Sequence, residues 1–412
     1  MVHELEEWSA IRSGPVRDAF LATPRERFIP DVLETRGIRA VYRNEAFPTM
    51  TDSVGNPISS SSEPGVMASM LEEMRLEPGH RVLEIGTGTG YNAALLSHIV
   101  GSRGRVTSIE LHPHAAAAAR TALTGSRVRV ATGDGRHGWP RTSPYDRIIA
   151  TASSLDVPRA LLDQLVDDGL LVLPLRLTDA LPFRQIIVTL ERKGNEFSSR
   201  SVTRGGFMRL RDHPDDPSLP WPELRAEETP DADAPATAII SGSSLGTLSS
   251  EARTRLLRTM LRSSRTRPLG IRATYWRQYE LEAFIALAAP EDRLVGYVRE
   301  DLEPLLFISS ALPGIIERDG SSLAHVSGRK SMSRIEVYGR ASSGSLLASI
   351  VDGWKRRGRP GVDRLRIHVT YGTRRNSTAW RTKRRGQSTI SFDWRDAHPT
   401  GPRARVSPPE TR

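Results

Sequence analysis

Three alternating glycines follow a short apolar stretch at residues 82–91, which read Val-Leu-Glu-Ile-Gly-Thr-Gly-Thr-Gly-Tyr. An amphipathic stretch comes next, so the order is strand, glycine turn and helix. Open α/β sheets present nucleotide-like ligands in this way, at the carboxyl end of a strand. Glycine has no Cβ and tolerates positive φ, which lets a ligand approach the backbone closely. The pattern therefore predicts that Gly86, Gly88 and Gly90 line a cofactor.

The spacing of these glycines separates two cofactor classes. Dinucleotide sites typically use G-x-G-x-x-G, whereas this loop reads G-x-G-x-G behind Glu84, the pattern of S-adenosylmethionine-dependent methyltransferases. Thr87 lies inside the loop and is included in the predicted cofactor site. Glu84 is expected either to orient the loop glycines or to bind the amino group of the methionine moiety. A glycine loop alone is also typical of a plain tight turn, so downstream residues decide.

Two further acids follow predicted strands. Glu110 ends the second strand, about 20 residues beyond the loop, where an acid accepts hydrogen bonds from both ribose hydroxyls. Asp134 ends the third strand between Gly133 and Gly135. We expect Asp134 to reach the adenine amino group, and Gly135 is included in the cofactor site. The alternatives are a surface acid for Glu110 and an Asx turn for Asp134.

The elements that must position these residues alternate between strand and helix up to residue 174, which predicts a parallel, doubly wound sheet. Residues 185–207 read as a closing β-hairpin, whereas 40–61 read as irregular and polar. The predicted domains are a catalytic domain at 1–209, an acidic, Pro-rich linker at 210–235, a second α+β domain at 236–396 and a disordered tail at 397–412. Candidate strands of the second domain are 237–241, 270–276, 304–309, 334–339, 364–371 and 388–394.

Several of these stretches together resemble the protein-L-isoaspartate O-methyltransferase family, over about residues 10–207. The resemblance implies a Rossmann-like methyltransferase fold, S-adenosyl-L-methionine as cofactor, and methyl transfer onto an aspartyl-derived carboxylate of a peptide or protein. It depends on five stretches: Ser62-Glu63-Pro64, Arg81–Tyr91, Gly133-Asp134-Gly135, Pro144–Ala152 and Leu170–Pro174.

The resemblance also assigns a catalytic-site residue, because the family's serine near the active site falls on Ser62. Ser62 would position the acceptor by a hydrogen bond; the alternative is a simple helix N-cap. A carboxylate acceptor is already ionised near neutral pH. No general base is then needed, and catalysis depends on holding the acceptor and the methyl donor in line.

Three features depart from the short repair enzymes of the family. The loop before Ser62 is longer and reads Thr49–Ser61, Ser153-Ser154 replaces the usual Ala-Pro, and a long C-terminal part is added. The fused second unit, the serine-rich run before Glu63-Pro64 and an ending like Arg381–Trp394 look like the branch associated with peptide natural products, in FxLD-system lanthipeptide and ATP-grasp maturase systems. That resemblance implies methylation of an Asp in a ribosomal precursor peptide, leading to aspartimide and isoaspartate. Repair of damaged proteins by isoaspartate methylation is the alternative.

Two other function classes compete. A basic C-terminus, with a net charge of +10 for the chain, favours a nucleic-acid methyltransferase. However, the Asn/Asp-Pro-Pro-aromatic motif typical of amino-methylating enzymes is replaced by Thr151-Ala152-Ser153-Ser154, so nucleic acid ranks low as a partner. A non-catalytic binding module is disfavoured by the intact loop glycines and acids. The preferred partner is a peptide or protein with an Asp or isoAsp, and the basic C-terminal domain is expected to bind an acidic peptide.

Composition adds few restrictions. The 412 residues contain no cysteine, which removes disulfides and thiolate chemistry. There is neither a signal-peptide pattern at the start nor an apolar run of membrane-spanning length, so a cytoplasmic protein without a membrane partner is expected. His112 and His114 read as helix-start residues and no metal site is predicted. The sequence does not predict the oligomeric state.

Overall fold

A computed structural model describes most of the chain. The described residues are 1–53, 55, 57–181, 184–214, 216, 222–227, 237–262, 264–272, 274–299, 312–327, 332–372 and 379–395. They form two compact units. The first falls within Met1–Leu175, Ile187–Ser218 and Arg366–Arg412, and the second within Arg176–Ile186 and Leu219–Leu365.

Strands and helices are numbered in chain order. The strands are β1 (Phe47–Thr51), β2 (Pro57–Ser61), β3 (Arg81–Ile85), β4 (Arg105–Glu110), β5 (Val128–Thr132), β6 (Tyr145–Ala150), β7 (Leu165–Arg176), β8 (Gln185–Lys193), β9 (Glu196–Arg204), β10 (Glu223–Glu227), β11 (Thr237–Ser241), β12 (Arg265–Arg272), β13 (Leu294–Arg299), β14 (Leu312–Ile316), β15 (Ser322–Ser327), β16 (Met332–Gly339), β17 (Leu365–Tyr371), β18 (Arg381–Arg385) and β19 (Ser388–Trp394). The helices are α1 (Val2–Glu7), α2 (Gly14–Ala22), α3 (Pro30–Val41), α4 (Pro64–Met74), α5 (Tyr91–Val100), α6 (Pro113–Ala122), α7 (Arg159–Gln164), α8 (Ser250–Met260), α9 (Tyr275–Ala288) and α10 (Ser342–Arg356).

The first unit contains the predicted parallel sheet. Among the described residues, ten strands form one sheet in the order β18-β19-β17-β9-β8-β7-β6-β3-β4-β5. Strand β3 pairs in parallel with β4 and β6, β4 with β5, and β6 with β7. The predicted hairpin of 185–207 corresponds to β8 and β9. The Rossmann-like, doubly wound α/β fold is confirmed.

Helix α5 shows why this sheet forms where it does. Its apolar face buries Leu95, Leu96, Ile99 and Val100 in a cluster shared with residues of α2 and α4 and with Val82 of β3. Each such side chain contributes about 1.5–3 kcal/mol by leaving water. Helix α5 is thereby fixed directly behind the glycine loop, which sets the position of the loop.

Two stretches of the region 40–61, which the sequence predicts to be irregular, are strands: residues 47–51 and 57–61. Strands β1 and β2 form an antiparallel hairpin in which Phe47 pairs with Ser61 and Pro48 with Ser60. Register irregularities occur between Pro48 and Thr51. Serine, threonine and proline replace the alternating apolar residues by which strands are recognised, so the pattern gave no signal here.

The C-terminal strands lie in a different sheet from the one expected. Residues 364–371 and 388–394 are strands as predicted, but β17, β18 and β19 extend the sheet of the first unit. His368 and Val369 of β17 pair antiparallel with Ser198 and Phe197 of β9. Alternating burial of Ile367 and Val369 marks a strand, yet it carries no information about which sheet the strand joins. The second unit therefore ends near Leu365 instead of at 396.

The second unit is an α+β structure, as expected. Among its described residues, seven strands form an antiparallel sheet in the order β10-β11-β13-β14-β15-β16-β12. The predicted strands 237–241 and 334–339 are present as β11 and within β16. The predicted strand 270–276 is wrong in its extent, because β12 ends at Arg272 and α9 begins at Tyr275.

Some predictions concern residues that lie partly or wholly outside the described residues. The predicted linker contains β10, while 217–221 and 228–236 lie outside the described residues. The predicted strand 304–309 and the predicted tail 397–412 also lie outside them. Among the helices that are described, none is long and apolar enough to span a lipid bilayer.

Asp156 holds the β18–β19 hairpin in place within the first unit. It therefore offers a test of the sheet topology. Its carboxylate accepts hydrogen bonds from the Gln387 amide (2.9 Å), the Ser388 hydroxyl and the Val157 amide (2.8 Å). Substituting Asp156→Ala removes an acceptor whose hydrogen bonds contribute about 1.5–3 kcal/mol. Hydrogen exchange of amides 381–394 should therefore become faster. The matched Asp163→Ala variant, an exposed acid of α7, should leave this exchange unchanged, and equal effects of both would contradict the assigned topology.

Candidate cofactor and active site

The glycine loop is held by the strands on both sides of β3. The Gly86 and Thr87 amides donate to the Ile109 carbonyl of β4 at 2.8 and 3.2 Å. On the other side, the Thr151 amide donates to the Ile85 carbonyl (2.9 Å), and the Thr151 hydroxyl donates to the Gly86 carbonyl (2.7 Å). Parallel pairing thus brings the ends of β3, β4 and β6 to one level, as the sequence predicts.

The glycines of the loop are required by backbone geometry and by close neighbours. Gly86, Gly88 and Gly90 have φ values of 94°, 52° and 90°, a region that side chains other than glycine rarely adopt. A Cβ on Gly86 would lie 2.5 Å from the Thr151 hydroxyl oxygen. A Cβ on Gly135 would lie 2.2 Å from the Ile85 side chain. Gly135 therefore packs directly against the end of β3, which brings the β5 turn close to the glycine loop.

Glu110 occupies the position that the sequence assigns to ribose binding. Its Oε2 accepts a hydrogen bond from the Gly88 amide (2.9 Å), and its Oε1 accepts one from the His112 amide (3.0 Å). Each carboxylate oxygen has about two acceptor positions, so one position on each oxygen receives no hydrogen bond from the described residues. The carboxylate is fixed against the loop and can still accept from two further donors.

Glu84 is fully buried and acts on the loop from behind. It accepts hydrogen bonds from the Asn92 side-chain amide (2.8 Å) and the Ser108 hydroxyl (2.5 Å). The Ser108 hydroxyl in turn lies 2.6 Å from the Thr87 hydroxyl. This chain connects Glu84 to the loop through Thr87, which is itself buried. The arrangement supports the loop-orienting role, since a carboxyl without exposed surface does not reach a methionine amino group.

Burial also changes the acidity of this carboxyl. Loss of hydration raises the pKa of Glu84 to about 7, against the opposing effect of its hydrogen bonds from Ser108 and Asn92. The negative charge of Glu110 raises it further. Glu84 therefore changes its charge near neutral pH, directly behind the cofactor loop.

Asp134 adopts the local turn that the sequence analysis left open as an alternative. Its Oδ1 accepts a hydrogen bond from the Arg136 amide (2.9 Å), and the Arg136 guanidinium forms an ion pair with Oδ2 (2.7 Å). A second ion pair joins Arg136 to Asp212 (3.1 Å). The Asp134 side chain remains 15% exposed, so part of its surface is accessible at the end of β5. Adenine contact by Asp134 stays a prediction.

Ser62 lies between β2 and α4 and is not the helix cap. The N-cap of α4 is Glu63, without a side-chain cap hydrogen bond, and Pro64 occupies the first turn. Asn44 takes over the capping function, because its Oδ1 accepts from the Gly65 amide (2.7 Å). The half-buried Ser62 hydroxyl makes no hydrogen bond to any residue that the structure describes. The sequence alternative of an N-cap role is therefore wrong.

The β1–β2 hairpin brings serines to the glycine loop, a feature that sequence reasoning missed. A Cβ placed on Gly88 would lie 3.4 Å from the Ser60 carbonyl oxygen and 3.8 Å from the Ser59 hydroxyl. Residue 88 therefore faces β2, and Ser62 is the residue directly after β2. The loop of the cofactor site and the candidate acceptor site are thus adjacent.

A second missed feature crosses the end of β6. The Ser153 amide donates to the Met208 carbonyl (2.7 Å), and the Leu210 amide donates to the Ser153 carbonyl (2.8 Å). Arg211 follows and is half-buried; burial lowers its pKa, and the nearby Glu110 carboxylate is the strongest opposing charge. Ser153 thus anchors a segment, 207–211, that brings the Arg211 guanidinium near the Glu110 carboxylate. No sequence signal marked this segment, because its contacts join residues that are more than 50 positions apart.

Comparison with known proteins identifies the family. A sequence model described as protein-L-isoaspartate(D-aspartate) O-methyltransferase matches residues 1–213. The chain belongs to the protein-L-isoaspartate O-methyltransferase family. The match covers the predicted methyltransferase domain, and the cofactor used by this family is S-adenosylmethionine.

Individual relatives agree with this assignment. The chain is 40% identical over 178 residues to a protein-L-isoaspartate O-methyltransferase of Methanopyrus kandleri, covering 42% of this chain and 74% of the relative. It is 36% identical over 221 residues to one of Hyperthermus butylicus, covering 51% and 86%. A solved protein-L-isoaspartate O-methyltransferase matches 95% of this chain and 98% of its own, with 23% identity and a TM-score of 0.49.

The geometry fits the cofactor of the protein-L-isoaspartate O-methyltransferases. Open acceptor positions on Glu110 suit two ribose hydroxyls. Because residues 86, 88 and 135 are glycines, their backbone is not covered by side chains, which would fill the space or collide with neighbouring atoms. Within the described residues, no cluster of three His, Asp or Glu side chains could hold a metal ion.

The raised pKa of Glu84 predicts a pH-dependent stability. The unfolded chain loses this proton near pH 4.5, whereas the folded chain keeps it up to about pH 7. The stabilisation of the protonated folded state is therefore complete below pH 4.5 and is lost as the pH rises to 7. Between pH 5 and 8 the wild type should lose about 2–3 kcal/mol of unfolding free energy relative to Glu84→Gln, which cannot ionise.

Urea unfolding at both pH values measures this difference. Glu34→Gln, a substitution of an exposed acid on α3, is the matched control and should follow the wild type. If the unfolding free energies of the wild type and Glu84→Gln changed equally between the two pH values, the buried carboxyl would not titrate in this range.

Proposed function

We propose that this protein transfers a methyl group from S-adenosylmethionine to an aspartyl or isoaspartyl carboxylate of a peptide or protein. One observation carries the proposal: the Ser62 hydroxyl, which makes no hydrogen bond to the described residues, follows the hairpin that faces Gly88. A donor in this position suits an anionic acceptor next to the cofactor loop. The names of the relatives, all protein-L-isoaspartate O-methyltransferases, point to the same acceptor chemistry.

The bound cofactor supplies an electrophilic methyl carbon on a sulfonium sulfur. An acceptor oxygen bonds to this carbon while the carbon–sulfur bond breaks and its electron pair stays on sulfur. The products are a methyl ester and S-adenosylhomocysteine, and no proton moves. The protein therefore orients the cofactor and the acceptor and does not need to activate either. In this proposal Glu110 holds the ribose and Asp134 holds the adenine. Ser62 donates a hydrogen bond to the acceptor carboxylate.

We further propose that the acceptor is an Asp of a ribosomal precursor peptide, whose ester would close to an aspartimide and open to isoaspartate. Two features support a dedicated peptide over general repair. Ser153 stands where the repair enzymes usually have alanine, and its hydroxyl, which alanine lacks, donates to the Phe207 carbonyl (3.3 Å) in the segment 207–211. The second unit adds a basic surface, described below. Repair of isoaspartyl proteins is the competing function and is favoured by the names of the relatives.

Paired substitutions separate the cofactor role from the acceptor role. Glu110→Ala removes a charged acceptor of hydrogen bonds that contribute about 1.5–3 kcal/mol, so the Kd of S-adenosylmethionine should rise at least about tenfold. Ser62→Ala should leave this Kd unchanged and lower kcat for an isoaspartyl peptide by about tenfold, because only the acceptor loses its donor. Isothermal titration and a methyl-transfer assay measure the two quantities.

Each half of this pair can fail separately. An unchanged Kd in Glu110→Ala would contradict the ribose assignment. A wild-type kcat in Ser62→Ala would remove Ser62 from the active site. Glu34→Gln serves as a control for both assays, since this exposed acid lies on α3, outside the proposed site.

The second unit carries a basic surface that suits an acidic peptide. Exposed arginines occur along α8, just after it and on β12, and Leu261 is 50% exposed among them. Arg255 pairs with Asp319 at 3.8 Å, whereas Arg258 and Arg262 have no acidic partner among the described residues. The surface consists of Arg255, Arg258, Leu261, Arg262, Arg265 and Arg267.

Charge reversal on this surface tests peptide binding. Arg258→Glu with Arg262→Glu should raise the KM of an isoaspartyl peptide with Asp/Glu flanks by about fivefold or more at low salt, and less at high salt, because the Debye length is about 8 Å at physiological ionic strength. The same peptide with neutral flanks should keep its KM. Arg103→Glu with Arg105→Glu, at the amino end of β4, is the matched control. A shared KM change for both peptides, or tight salt-dependent RNA binding, would contradict this role.

A further inference from the structure

Arg25 is the most unusual buried group near the active site. It lies in the 3₁₀ turn Arg25–Phe28 and has no exposed surface. Arginine is rarely buried without a partner carboxylate. Here the guanidinium donates almost entirely to backbone carbonyls. Its acceptors are Val41 O (2.9 Å), Arg43 O (3.0 Å), Glu45 O (3.0 Å), Ser62 O (3.0 Å) and the Ser61 hydroxyl (3.4 Å).

The environment of this guanidinium disfavours its positive charge. Burial lowers the pKa of Arg25, and the surrounding charges of Glu45 and Glu63 only partly offset the effect. The Phe47 ring lies below the guanidinium, 5.2 Å from its carbon. A buried charge held by dipoles alone is costly. Its hydrogen bonds connect residues 41–45 to residues 61–62, a connection that strand pairing does not make.

The segment fixed in this way is the connection that contains Ser62. Strand β2 ends at Ser61 and α4 begins at Pro64, so Ser62 belongs to neither hydrogen-bond ladder. Its carbonyl is held by Arg25. Glu63, the next residue, is held by Asn44, whose side-chain amide donates to the carboxylate at 2.6 Å. Two side chains from earlier in the chain therefore set the backbone on both sides of the Ser62 hydroxyl.

We propose that Arg25 is a positioning residue for methyl transfer: it aims the Ser62 hydroxyl at the acceptor by holding the Ser62 carbonyl and the Ser61 hydroxyl. The inference rests on the proposed role of Ser62. The planar guanidinium reaches acceptors in two chain segments, 41–45 and 61–62, at once, whereas an ammonium is a single point donor. Lysine at this position keeps the charge and loses the fork, so it is the informative substitution.

A double-mutant cycle tests this coupling in the full-length protein. The variants are Arg25→Lys, Ser62→Ala and both together, with Arg27→Lys on the same turn as control; Arg27 is exposed and donates to the Thr124 carbonyl. Arg25→Lys should lower kcat for an isoaspartyl peptide by about tenfold, because misplaced groups slow an oriented reaction. The Kd of S-adenosylhomocysteine should stay within about twofold. In the Ser62→Ala background, Arg25→Lys should change kcat by less than about twofold.

The outcomes separate this inference from the proposed role of Ser62. A wild-type kcat in Ser62→Ala removes Ser62 from the reaction and with it the target of Arg25. A normal Ser62→Ala effect combined with an undiminished Arg25→Lys effect in the double variant overturns the coupling alone. A loss of cofactor affinity parallel to the loss of kcat also overturns it, because it indicates a general structural role.

A milder substitution covers the case in which Arg25→Lys does not fold. Phe47→Leu keeps all hydrogen bonds of Arg25 and removes only the ring below the guanidinium. It should lower kcat by about two- to fivefold, with loss of the effect in the Ser62→Ala background. Equal effects of Phe47→Leu in both backgrounds would overturn the inference.

Discussion

The parallel register of β3 with β4 and β6 is the constraint on which the site depends. Ile85 stands opposite Ile109 on one side and Ala150 on the other, so all three strands end at one level. The loop after Ile85 then finds carbonyl and hydroxyl partners on both neighbours, and Glu110 arrives beside the Gly88 amide. A slip of one residue would reverse the facing of every side chain on the shifted strand. The cofactor site is therefore a consequence of strand pairing.

Two buried ionisable groups, Glu84 and Arg25, stabilise the backbone near these strand ends. Glu84 lies behind the glycine loop and reaches it through Ser108 and Thr87. Arg25 lies behind the β2–α4 connection and holds the Ser62 carbonyl. Both groups lose hydration, which raises the pKa of the acid and lowers that of the base. Each fixes a short segment outside the regular hydrogen-bond ladders: the glycine loop, and the connection that carries the proposed acceptor-binding residue Ser62.

The geometry of the glycine loop and of Glu110 could be predicted from the sequence because it follows from neighbouring elements. Strand, glycine loop and helix are contiguous, and Glu110 follows at the end of the next strand. The β1–β2 hairpin could not be predicted, because Ser, Thr and Pro conceal the alternation that marks a strand. The placement of β17–β19 depends on pairing between residues such as His368 and Ser198, which a local pattern does not encode. Arg25 gave no signal, since nothing in the sequence distinguishes a buried arginine from an exposed one.

The acceptor atom is the central claim, and one measurement addresses it directly. The full-length protein is incubated with methyl-labelled S-adenosylmethionine and with matched peptides that differ only in carrying an isoaspartyl or an aspartyl residue. The label is then challenged with mild base, which cleaves methyl esters and leaves methyl groups on nitrogen intact. The account predicts label on the peptide carboxylate that base releases as methanol. Base-stable label, or label found only on added RNA or DNA, would contradict it.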